Sequence, residues 1–99
     1  MTMKYIMIIG GVIYIKEKGY VISGTVKEER IKSNPIYIGE RNALIYVESG
    51  NFNYKFKIKD VSLSTSIGGN TIIGILVYDS ENIHHIKVGN KVYAIIEDK

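Results

Sequence analysis

"IKVGNKVYAII", residues 86–96, decides the fold. Its polar turn, Gly89-Asn90-Lys91, leads into a run without charge from Val92 to Ile96. Glycine takes the positive φ of a tight turn without strain, and Asn keeps such turns polar. The run that follows is mostly β-branched and aromatic, which suits a half-buried pleated surface. Such a strand needs a partner on each side or it leaves a sticky edge. The stretch therefore predicts a late closing strand, in a sheet that curls into a barrel.

The rest of the chain fits one small domain of that kind. It has 99 residues, 45% apolar and 23% charged, with no cysteine. Disulfides, thiolate metal sites and a cysteine nucleophile are excluded. Ile, Val and Tyr are abundant, and no segment keeps a helical period over three turns. Strands are expected near 4–9, 12–16, 20–27, 43–48, 52–60, 71–79 and 91–97. Gly10-Gly11 is a turn or a bulge between the first two. Residues 17–19, 49–51 and 68–70 read as hairpin turns. Pro35 marks the longest irregular loop, about 28–36. Asp79-Ser80 is a helix N-cap pair, with Ile83 and Ile86 three apart and Gly89 as a stop. One helical turn is expected within 79–89, on the open end of the barrel. Residues 19–28 and 68–77 share a faint Gly-x-x-Ile-x-Gly pattern.

"YIMIIGGVIYI", residues 5–15, is the most apolar segment. No small-residue cleavage site follows it, and it is well short of the ~20 residues of a spanning helix. A buried strand is expected there, with no membrane partner and a cytoplasmic location. The net charge of +3 and pI of about 9.1 favour anionic ligands.

Catalysis finds little support. Ser80, His84 and Asp79 sit in nothing like a nucleophile elbow, and Asp60 and Glu48 form no evident acid–base pair. Gly68-Gly69 lacks the Lys-Ser/Thr of a phosphate-binding loop. No enzyme and no cofactor are expected. His84-His85 point about 100° apart on a helical turn and have no third histidine, so no metal site is expected. One of the two should be partly buried and the other exposed.

Binding has better candidates. In "NYKFKIKD", 53–60, Tyr54, Phe56 and Ile58 face one way and Lys55, Lys57 and Lys59 the other. That stripe is either a solvated outer face or a track for phosphates. The eight tyrosines are barrel and interface material, or platforms for bases. "SLSTSIGGN", 62–70, is either a solvated hairpin loop or a nest of N–H groups for an anion.

Gly68-Gly69, Ile73, Ile75, Ser80 and the run Ile86 to Ile96 follow a recognisable order. It is a Gly-Gly turn, alternating Ile, a Ser-led helical turn, then L-K-x-G-D-x-V-x-A-x-I. Arg41-Asn42-Ala43-Leu44 is similar to the S-A-R-N-x-L that precedes it. Residues 41–97 thus resemble the molybdopterin-binding-like (Mop) module, also found as the TOBE domain of transport ATPases and regulators. The resemblance implies an all-β, small OB/TOBE-like β-barrel, with residues 1–40 adding N-terminal strands and with one short helical turn. It implies a non-enzymatic module for a small oxyanion, molybdate or tungstate. Arg41, Asn42, Ser80 and Lys87 would hold it, with Ser66 and Thr71 near the Gly-Gly turn. Shared sites would make a homo-oligomer. Two alternatives stand beside it. One is a nucleic-acid-binding barrel using Lys55, Lys57, Lys59 and Tyr54. The other is a ligand-free structural or oligomerising module. Glu97-Asp98 speak against the oxyanion, an unshielded lysine stripe favours nucleic acid, and large apolar patches favour assembly.

Overall fold

Alternation of apolar and polar residues folds this chain into six strands. A computed structural model describes residues 2–27, 44–65, 68–78 and 81–96. The strands are β1 (Thr2–Ile15), β2 (Gly19–Lys27), β3 (Leu44–Ser49), β4 (Phe52–Thr65), β5 (Asn70–Val77) and β6 (Lys91–Ile96). They close in the order β1-β2-β5-β4-β3-β6, and every neighbouring pair whose register is defined is antiparallel. β6 pairs with β1 on one side and β3 on the other, which makes it the closing strand that 86–96 predicted. Among the described residues, no helix is long and apolar enough to cross a membrane.

Two long strands form the corners. β1 pairs with β6 over Thr2–Ile8 and with β2 over Ile9–Ile15. β4 pairs with β3 over Phe52–Lys57 and with β5 over Ile58–Thr65. Register shifts fall between Tyr5 and Met7, Ile9 and Gly11, and Ile58 and Asp60. Such irregularities bend a strand and let it serve two sheets. The expected strands 4–9 and 12–16 are therefore one strand, and Gly10-Gly11 is a bulged bend inside it rather than a turn. Likewise β4 runs on to Thr65. Half of "SLSTSIGGN" is strand, with Ser62 opposite Gly74 and Thr65 opposite Thr71, instead of a loop from 62 onward. The alternating residues Val61 to Thr65 find ladder partners on β5, which overrides their polar, loop-like look.

The core lies inside the ring. Ile22, Ile45, Val47, Ile73, Ile75, Val77 and Val92 are fully buried, beside Phe56, Ile6, Met7 and Ile9. β1 crosses β2 very closely at Gly24. A side chain there would meet the carbonyl oxygen of Ile8 and lie 2.7 Å from Sδ of Met7.

Strand directions place the turns. The β1–β2 turn, the β3–β4 turn and the β5–β6 connection share one mouth, and the β4–β5 turn lies at the other. The connection contains a 3-10 helix, Glu81–His85, the single helical turn expected there. Ile83 and Ile86 plug the first mouth. Asp79-Ser80, the expected cap pair, lie outside the described residues, as does the Pro35 loop. Gly89, at φ 96°, donates from its N–H to the Ile9 carbonyl at 2.9 Å, and Ile9 N–H donates to the Asn90 carbonyl at 2.8 Å. These bonds clip the turn onto β1 just before β6 begins.

Candidate functional site

The alternation in β4 is borne out. Phe56 and Ile58 are buried, and Lys55, Lys57 and Lys59 are exposed on the outer wall. Tyr78 offsets the repulsion between two of the three ammonium groups. Nζ of Lys57 lies 5.4 Å and Nζ of Lys59 5.7 Å from the centre of the Tyr78 ring. A ring face attracts a cation at such distances. Tyr78 is carried there by its own N–H, which donates to the Lys57 carbonyl at 3.1 Å. Nζ of Lys59 also donates to the Lys18 carbonyl at 3.4 Å.

The two nearby carboxylates do not shield the stripe. Glu48 stands opposite Lys91 and Asn53, and Asp60 accepts from the Val61 N–H at 2.9 Å. Among the described residues, none of the three lysines forms an ion pair.

The outer wall also holds a row that the sequence did not reveal. Tyr5 of β1 is opposite Tyr93 of β6, Tyr93 is opposite Tyr46 of β3, and Tyr46 is opposite Lys55 of β4. Residues directly across a ladder share a face. That face is the outside, because their neighbours Val92, Ala94, Ile45, Val47 and Phe56 are buried. Tyr5 is half exposed, and its ring meets that of Tyr93 edge-on at 5.9 Å. That a tyrosine lies on each of these strands was visible in sequence, but the ladder registers were not.

Tyr54 differs from the lysines beside it. It faces the first mouth, where its ring stacks on His85 at 4.9 Å with planes 5° apart. Phe52, largely exposed, lies 6.3 Å from Tyr54. Both His84 and His85 are exposed, so the expected split between a buried and an exposed histidine is wrong. The stack on Tyr54 covers one face of His85 without burying it. No group of three or more metal-ligating side chains occurs among the described residues.

Of the oxyanion candidates, Arg41, Asn42, Ser66 and Ser80 lie outside the described residues. Thr71 is buried near the start of β5, and Lys87 is exposed in the β5–β6 connection. The six rises of strand from Thr71 to Val77 put about 20 Å between the two ends. These two candidates sit at opposite mouths. The Lys87 N–H is already taken by Oδ1 of Asn90 at 2.8 Å.

Charge divides the wall. The segments Ile9–Ile15, Gly19–Val26 and Asn70–Val77 contain no charged residue, whereas Lys55, Lys57 and Lys91 stand on the opposite sheet. No protein-family model matches this chain, and no curated protein matches it.

Proposed function

We propose that this barrel is a non-enzymatic nucleic-acid-binding module that holds the phosphate backbone along β4. The observation that carries this is the exposed stripe of Lys55, Lys57 and Lys59, free of carboxylate partners among the described residues, with Lys57 and Lys59 beside Tyr78. Ammonium groups spaced two residues apart on a strand stand about 7 Å from one another, close to the spacing of phosphates along an extended chain. Each phosphate neutralised releases counterions, so such binding weakens steeply with salt. The oxyanion reading rests on the resemblance alone: Thr71 and Lys87 of one chain sit at opposite mouths, so an ion held by both would have to be shared between two copies.

The test is fluorescence anisotropy with labelled oligonucleotides between 50 and 200 mM salt, an ordinary range for such contacts. Exchanging Lys55, Lys57 and Lys59 together for Gln should lower affinity and flatten the log–log salt dependence by about 2 to 3. Unchanged binding by the triple variant would remove this reading.

A second reading, self-association, is favoured by the exposed isoleucines of β1 and the uncharged segments beside them. Ile8, Ile13 and Ile15 are exposed on β1, at 48%, 56% and 39%. Two chains of net charge +3 that meet over the uncharged segments Ile9–Ile15 and Gly19–Val26 limit their repulsion. Sedimentation velocity of the wild type and of Ile13→Lys checks it. A monomeric wild type at 100 µM, roughly the range where weak dimers form, would exclude it.

A further inference from the structure

We infer that Tyr5, Tyr93 and Tyr46 form a stacking platform for the unpaired bases of a single-stranded nucleic acid. The inference rests on the nucleic-acid reading above and names the form of nucleic acid that the site takes.

Three features carry it. The rings stand in one row across three adjacent strands and lead, in register, to Lys55. Neighbouring strands are about 4.8 Å apart, so the row spans about 10 Å, room for two or three bases. Flat rings beside cations are what a single strand needs, because every base has a π-face and every linkage a negative charge. The flanks of the row are unequal. Glu48 lies on one flank, level with Lys91. The other flank carries Met3, Ile95 and Leu44 and ends at Lys57, with no carboxylate among the described residues. A strand crossing the platform therefore keeps its phosphates on the Lys57 side and continues onto the β4 stripe.

A duplex cannot use the row. Its bases already stack on one another and show the protein only phosphates and groove edges. Duplex binding would draw on the lysines alone, while single-strand binding would draw on lysines and rings together.

The experiment compares a twelve-residue oligothymidylate with a duplex of equal length, using the full chain. The protein has eight tyrosines and no tryptophan, so its emission is tyrosine emission, and the part of the quenching lost in Tyr5→Leu and Tyr93→Leu reports stacking on the row. The single strand should bind about tenfold tighter than the duplex and quench the emission. Tyr93→Leu and Tyr5→Leu should each remove most of that preference while the salt slope and duplex affinity stay unchanged. Tyr5, half exposed, is the safer variant for folding, and circular dichroism confirms that each variant keeps its strands. Equal affinity for both forms, with the lysine-dependent salt slope intact, would overturn this inference and leave the nucleic-acid reading standing. So would a folded Tyr5→Leu variant that binds the single strand like the wild type. Binding to neither form would overturn both.

Discussion

The rings of Tyr54 and His85 lie face to face, 4.9 Å apart and 5° from parallel, although the two residues belong to a strand and to the 3-10 helix that plugs the barrel. Two more ties hold the same helix. Oγ of Ser49 donates to the His85 carbonyl at 3.0 Å, and Nδ2 of Asn82 donates to the Lys55 carbonyl at 3.4 Å. Together they press Ile83 into the mouth. His85→Ala should lower stability by about 0.5–1 kcal/mol, the usual worth of one aromatic pair. A double-mutant cycle with Tyr54→Leu should return a coupling of similar size. Additive losses in urea titrations would show that the stack contributes nothing of its own.

Gly24→Ala should be among the most damaging single changes in the chain. The added methyl would run into the Ile8 carbonyl, which is backbone and cannot swing aside, and into Sδ of Met7. A loss of about 3 kcal/mol or failure to fold is expected. Gly10→Ala makes the comparison, since its nearest neighbour would be 3.8 Å away at the Ser23 carbonyl. Thermal melts of the two variants should differ by more than about 10 °C, given the entropy of unfolding of a domain this small.

Ile75→Ala opens a void at the centre of the barrel, where the side chain is fully buried. The expected cost is about 3–4 kcal/mol, while Ile75→Val should cost about 1 kcal/mol. Equal midpoints for the two in guanidinium would contradict a close-packed interior.

Asn90 closes the turn before β6. Its Oδ1 accepts from the Lys87 N–H at 2.8 Å, and its own N–H donates to the Lys87 carbonyl at 3.2 Å. Asn90→Ala should cost about 1 kcal/mol, and Asn90→Asp, which keeps the acceptor, should cost much less. Amide hydrogen exchange at Lys87 should quicken in the first variant and stay near wild type in the second.

The sequence by itself determined the strands and the barrel. Buried and exposed positions alternate with a period of two, so Phe56 and Ile58 against Lys55, Lys57 and Lys59 could be read from immediate neighbours. The turn at Gly89-Asn90 and the closing strand after it were legible for the same reason. Only the tertiary structure decided which strands lie side by side and in what register. The Tyr5–Tyr93–Tyr46–Lys55 row depends on three ladders, two of which, β1–β6 and β3–β6, join segments far apart in the chain. One residue of slip in any ladder would turn a side chain from the outer wall to the core. The bend that lets β1 serve both β6 and β2 depends likewise on bulges whose positions are set by the partner strands. Local pattern fixes which way a side chain points along its own strand. Hydrogen bonding across the barrel fixes what stands beside it.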